Sequence, residues 1–278
     1  MSIKDLFKII YDRYISYGYY QKEVLNVDSL SARFGILSKE HFIMSSIMIG
    51  FIIIFTYLTR NKTKEQLYSY QRKVSLAMFI LELIRMAWFS TYRPDIYLIR
   101  FDYCNQVCLY MPIMIILGLR FLYPAVMTIS FWGGAGVMLY PLWVFRDYGG
   151  FHLMSIQSMI SHGLMLLTSI NLARINKTNL KKDISVSFIV FTIMATISYI
   201  MSIVRNQNYL AMLSPNGLPF ISKLKYPYHI PFVVGIIYLG LYLYIVLKNR
   251  IDKYILTKDQ RENTEVNYNE VQESNITI

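Results

Sequence analysis

Charge is what this sequence has little of. Asp, Glu, Lys and Arg make up 16% of its 278 residues, where ordinary globular domains carry roughly 25%. A soluble fold of this length would need more charge to cover its surface, so the shortage points to the membrane class. Cysteine is nearly missing: Cys104 and Cys108 are the only two. They lie four apart, on one face of a helix, a spacing that regular helix geometry does not favour for a disulfide, so both read as free thiols. The first forty residues hold no signal-peptide apolar core, so the first apolar run is expected to be internal and uncleaved. No zinc-finger spacing and no basic patch interleaved with exposed aromatics is present. The expectation is therefore no metal, no cofactor and no nucleic acid. No internal repeat is visible, whereas many carriers are built from inverted repeats.

Apolar residues, in contrast, supply 55% of the chain, and the mean hydropathy is +0.36. The net charge of +11 comes from Lys and Arg placed between apolar runs, a pattern that speaks for membrane orientation and anionic headgroups. A spanning helix needs about 20 mostly apolar residues. Seven runs qualify: 42–58, 74–92, 103–119, 121–145, 148–173, 184–204 and 226–247. The second is interrupted by Glu82 and Arg85. Arg120 separates the third from the fourth, so it must lie in a tight turn.

The fold class expected is all-α: a polytopic membrane helical bundle with about seven transmembrane helices. Residues 1–40 read as an extramembrane N-terminal segment, 41–250 as the seven-helix membrane domain, and 251–278 as a polar, disordered cytoplasmic tail. With seven spans, the loops 59–73, 120 and 174–183 and the C-terminal tail share one side and hold moderately more Lys and Arg than the other. That bias puts the C-terminus in the cytoplasm and the N-terminus outside, in a multi-pass protein of the cell membrane.

Ionisable residues at membrane depth are costly and face a bundle interior or a cavity. Glu82 and Arg85 sit one turn apart and share a face. They read either as a self-neutralising pair that holds helices together or as part of a polar site. His162 lies roughly 16 Å into the fifth run, near the bilayer centre. It reads as an interhelical hydrogen-bonding group or as a base. Cys108, near the outer start of the third run, reads as a small apolar filler or as a nucleophile activated by an imidazole. Both runs enter from the same side, which admits Cys108 and His162 to one outward-opening pocket despite estimated depths that differ by roughly 9 Å. His41 caps the outer end of the first run, as an interfacial residue or as a third member of that group. The small residues of Phe131-Trp132-Gly133-Gly134-Ala135-Gly136 read as a packing surface. Pro112, Pro124 and Pro141 are expected to bend their helices. The loop 205–225, with its Pro215-Asn216-Gly217 turn signal, reads as a surface connection or as a lid over an outer pocket.

The order of these elements carries a resemblance. Phe34-Gly35 and His41 come first, then Cys108, the Phe-Trp-Gly-x-x-Gly element at 131–136, Ser161-His162-Gly163, and Asn206-x-Asn208-Tyr209-Leu210 with Pro215. Over roughly residues 34–247 the chain resembles the YwaF-like family of bacterial integral membrane proteins. An animal branch that looks related includes a membrane acyltransferase acting on ether phospholipids through a cysteine nucleophile. The resemblance implies Cys108 as nucleophile, His162 as its base, His41 as an accessory polar residue, and Asn208 and Tyr209 as pocket residues. Glu82 and Arg85 join them as candidate binding residues. The implied partners are membrane lipids, with an acyl lipid as substrate. One departure stands out: the family commonly has His two places before this Cys, where this chain has Gln106. If that histidine assists the chemistry, this chain's site is altered. Three functions remain open: lipid acyl transfer through a Cys108 thioester, transport or small-molecule binding along Glu82, Arg85 and His162, and a non-catalytic membrane scaffold.

Overall fold

A computed structural model describes residues 3–15, 39–92, 99–139, 152–214 and 223–276. Most of the expected N-terminal segment, Phe34-Gly35, Pro141 and the Pro215-Asn216-Gly217 turn lie outside the described residues. Among the described residues the chain is all-helical: α1 (Ile3–Tyr14), α2 (Lys39–Leu58), α3 (Lys64–Tyr92), α4 (Tyr103–Ile116), α5 (Tyr123–Leu139), α6 (Leu153–Ile175), α7 (Leu180–Arg205) and α8 (Ile230–Ile276), with 3-10 turns at Arg120–Leu122 and Tyr209–Ala211. The last helix runs on through the polar stretch that begins near residue 251.

Local chemistry sets several helix ends. Thr63 and Gln66 form a capping box before α3: Gln66 N donates to Thr63 Oγ1 at 3.3 Å and Thr63 N to Gln66 Oε1 at 3.1 Å, which satisfies two amides the first turn leaves open. Asn179 accepts from Lys182 N while its own amide donates to Asp183, fixing the start of α7. The end of α4 is a Schellman motif. Gly118 N donates to Ile115 O and Leu119 N to Met114 O, with Gly118 at φ +70, a left-handed conformation that glycine adopts without a Cβ clash.

That stop is where the structure departs from expectation. Among the described residues six helical segments are long and apolar enough to cross a membrane: Lys39–Leu58, Lys64–Thr91, Arg120–Leu139, Leu153–Ile175, Leu180–Arg205 and Ile230–Thr257. The run 103–119 yields a helix of only 14 residues. At 1.5 Å per residue that is about 21 Å, short of a hydrocarbon core about 30 Å thick. Arg120 does lie in the tight turn between α4 and α5.

The bundle buries polar side chains among a large apolar core and leaves other large apolar residues on its exterior. Ile43, Ile47 and Ile53 of α2 and Phe232, Leu239 and Leu243 of α8 are exposed, while Gln71, Ser75, Thr168, Asn171, Ser187 and Ser198 are fully buried. Lipid is the natural solvent for such an exterior, and the buried polar groups bond across helices. Gln71 Nε2 of α3 donates to Thr168 Oγ1 at 2.8 Å, and Asn171 Nδ2 of α6 returns to Gln71 Oε1 at 3.1 Å. The most extensive helix pair is α5 with α6, and its closeness depends on Gly134. A Cβ there would stand 2.6 Å from His162 O and 2.7 Å from Leu166 N, both backbone atoms of α6. The small-residue element is thus a packing surface.

Gly134→Ala therefore forces α5 and α6 apart and is expected to destabilise the bundle by about 1–3 kcal/mol. Gly136, with nothing within 4 Å of its Cβ position, is the matched control. Thermal unfolding of both variants in detergent checks the difference; equal melting would refute the close-contact account.

Candidate functional site

The thiol of Cys108 is buried at the meeting of α3, α4 and α6. The groups within electrostatic or hydrogen-bonding reach of it are Glu82 and Arg85 of α3, Cys104 one turn back on α4, and Ser161 of α6. Both cysteines are free, Cys104 the more exposed of the two. Glu82 and Arg85 are themselves almost wholly buried. Arg85 Nη2 donates to Glu82 Oε1 at 2.6 Å and Arg85 Nε to Glu82 Oε2 at 2.9 Å. This is the two-pronged geometry that makes an arginine–carboxylate contact strong. The three-residue spacing on α3 makes it possible, and the guanidinium also sits 5.4 Å from the Phe89 ring.

Ser161 owes its position to Gln157. The Gln157 amide donates to Leu81 O of α3 and to Ser161 Oγ, both at 3.1 Å. Because Ser161 Oγ accepts from Gln157, its own hydrogen is available to another acceptor. Neither residue stood out in the sequence as a site residue by itself. Their signal was a pair of polar side chains four apart on an apolar helix, one of them beside His162.

His162 follows Ser161 and is 4% exposed. Its Nδ1 lies 2.6 Å from Ser158 O. A carbonyl oxygen can only accept, so Nδ1 carries the proton and Nε2 holds the lone pair. Nε2 is buried and has no hydrogen-bond partner among the described residues. The next residue, Gly163, gives room to α2: a Cβ there would overlap the end of the Met48 side chain. The tight α5–α6 contact at Gly134 and the α2–α6 contact at Gly163 hold this turn of α6 from two sides.

The other candidates stand elsewhere. His41 of α2 is buried and its Nε2 donates to Met138 O at the end of α5, 2.9 Å away. Asn208 is exposed and organises its own loop: its Oδ1 accepts from Leu213 N and Ser214 N, and its Nδ2 donates to Ser214 O. Tyr209 is buried after α7, its ring edge-on to Phe101 at 5.7 Å, its amide donating to Ser202 Oγ. Two residues of this loop, Leu210 and Ala211, take positive φ values of 51 and 55, a conformation that costs a side-chain-bearing residue about 1–2 kcal/mol. Gln106, the residue in place of the expected histidine, fastens the first turn of α4. Its Nε2 donates to Ser198 Oγ of α7 at 2.7 Å and to Phe101 O at 2.9 Å, and Ser198 Oγ donates to the same Phe101 carbonyl. Among the described residues no group of three His, Cys, Asp or Glu side chains is arranged to hold a metal.

A model of the TMEM164 family matches residues 36–246. That span takes in α2 to α7, the apolar part of α8, and every candidate residue above. No curated protein and no solved structure matches the chain.

The buried ion pair supplies a stability prediction. Removing one partner strands a charge in an apolar interior, a loss of about 3–5 kcal/mol, whereas replacing both by apolar residues is close to neutral. Glu82→Leu alone should therefore unfold at a markedly lower temperature in detergent, and adding Arg85→Met should restore most of it. A single variant as stable as the parent would show that Glu82 and Arg85 are not energetically coupled.

Proposed function

The chain belongs to the TMEM164 family of membrane proteins, and from that premise we propose that it transfers acyl groups between membrane lipids through a thioester on Cys108. What supports this reading is a buried free thiol with Glu82, Arg85 and Ser161 within interaction reach, and next in sequence to Ser161 a His162 ring whose Nε2 is buried without a partner among the described residues. A nucleophile needs a proton acceptor within hydrogen-bond reach, directly or through one intervening group, and a donor for the oxygen that becomes negative.

The roles follow from hydrogen-bonding capacity. Cys108 Sγ attacks the acyl carbonyl of a donor lipid, and the thiol proton passes to His162 Nε2. As it becomes negative, the carbonyl oxygen accepts a hydrogen bond from the Ser161 hydroxyl, which keeps its proton and which Gln157 holds in place. The acyl C–O bond then breaks, and the departing lysolipid oxygen takes the proton from the imidazole. A second lysolipid reverses these steps on the thioester. Glu82 and Arg85 neutralise each other and keep the chamber polar without a net charge. His41, Asn208 and Tyr209 serve the entry side: His41 anchors α2 to α5, and Asn208 and Tyr209 shape the loop after α7.

The reading extends to topology. Ile99 O is bonded by Arg205 at the end of α7, and Gly118 lies beside Arg72 near the start of α3. These contacts support reading the segment through α4 as a seventh crossing by a short helix. With seven crossings the Lys and Arg bias sets the N-terminus outside the cell membrane and the C-terminus in the cytoplasm.

An acyl-directed thiol probe on the full chain in lipid nanodiscs tests the chemistry. Labelling should be lost in Cys108→Ala, kept in Cys104→Ser, and reduced about 100-fold or more in His162→Gln, the range of general-base contributions. Labelling unchanged in Cys108→Ala ends the proposal. Labelling lost in Cys108→Ala but unchanged in His162→Gln keeps the nucleophile and removes the base.

A further inference from the structure

The end of the bundle where α4 turns into α5 carries a feature that the thiol chamber does not use. Two exposed arginines flank Tyr123 there. Arg72, exposed on α3, has Nη2 3.4 Å from the position a Cβ would take on Gly118. Arg120, exposed on the turn two residues later, lies over the Tyr68 ring at 4.7 Å. The Tyr68 and Tyr123 rings are 5.9 Å apart, and the Tyr123 hydroxyl is within electrostatic reach of both arginines. The ion pairs among the described residues are Glu82–Arg85, Arg100–Asp102 and Lys248–Asp252; none involves Arg72 or Arg120. Like charges brought together with no carboxylate repel unless an anion joins them.

The surroundings specify that anion. Leu117 and Phe121, on either side of the turn, are 66% and 60% exposed, beside the end of the apolar segment Arg120–Leu139. Large apolar side chains flanking a basic pair suit a ligand with an anionic head and hydrocarbon tails. A free anion would leave them in water. The start of α5 adds the positive end of a helix dipole on the same side, and arginine's planar fork matches phosphate oxygens in pairs.

We propose that Arg72 and Arg120 form a binding site for the phosphate of an anionic phospholipid headgroup, with Leu117 and Phe121 against its acyl chains. Glycine at 118 keeps the turn close to Arg72, and the Tyr68 ring holds Arg120 in place. Arg60, Lys62 and Lys73 lie near the same end but against other rings, Arg60 over Tyr57 at 4.0 Å and Lys62 and Lys73 over Tyr70 at 5.9 and 5.7 Å, rather than over Tyr68 or Tyr123, which makes them internal controls.

The test uses the full chain in a neutral detergent with three probes: dihexanoyl phosphatidylglycerol, dihexanoyl phosphatidylcholine and inorganic phosphate, read by native mass spectrometry. Phosphatidylglycerol should bind in preference to phosphatidylcholine. Its affinity should fall about 30-fold in Arg72→Gln/Arg120→Gln, as two basic contacts at a membrane surface imply. It should change less than about twofold in Arg60→Gln/Lys62→Gln, whose surface contacts contribute little. Arg72→Lys/Arg120→Lys should keep the charge preference with weaker binding. Equal binding of the two lipids by the parent chain overturns the proposal without any variant. So does undiminished phosphatidylglycerol binding in a folded Gln/Gln variant. Inorganic phosphate that binds as tightly as phosphatidylglycerol, with the same dependence on the two arginines, would assign the site to a free anion and overturn the lipid assignment.

Discussion

Hydrocarbon offers no hydrogen bonds, so every polar group this chain carries into the bilayer must find its partner on another part of the chain. Most of the internal architecture follows from that requirement. Gln71 holds Thr168 and Asn171, Gln106 holds Ser198 and the Phe101 carbonyl, and Gln157 holds Leu81 O and Ser161. Each is an amide side chain with donors and an acceptor, able to serve two helices at once. Three glutamines on three different helices thereby do the joining that apolar burial does in a water-soluble core, where lipid tails do not compete with the interior.

The same rule governs the site. Glu82 and Arg85 are tolerated because each is the other's answer, and they sit close enough on one helix to find each other before the bundle assembles. The His162 ring obeys the rule on one side only, through Ser158 O. Its second nitrogen is left over, held in place by close helix contacts at Gly134 and Gly163 rather than by a bond. On the proposed function, that nitrogen is the one that takes the thiol proton.

Much of this was readable from residue order alone. Long uncharged runs set the helices, a three-residue spacing set the Glu82–Arg85 pair, and Arg120 between two apolar runs demanded a turn. The length of α4 was less legible, because the apolar run continues to Leu119 while the backbone turns at Gly118; a glycine after an apolar run marks either a stop or a packing notch. Asn208, a pocket candidate through the resemblance, bonds its own loop, since an asparagine side chain satisfies nearby backbone groups as readily as a ligand's. Ser161 was not legible as a neighbour of Cys108. Contact between α4 and α6 depends on tertiary packing, and no local spacing encodes it. The role of Gln106 was hidden for the same reason: its partners Ser198 and Phe101 come together only when α7 packs against the start of α4.

A helix of fourteen residues in a bilayer suited to twenty leaves the surrounding lipid to make up the difference. Ile113, Ile116 and Leu117 face outward on α4, and the turn at Gly118 brings Arg120 directly after them. On the seven-crossing reading, lipids along that flank dip to keep headgroups at the level of the arginine. That reading gives the protein a dent on one side, which thicker, sterol-rich bilayers resist more than thin ones do. Membrane thickness becomes a variable to which this flank of the bundle responds.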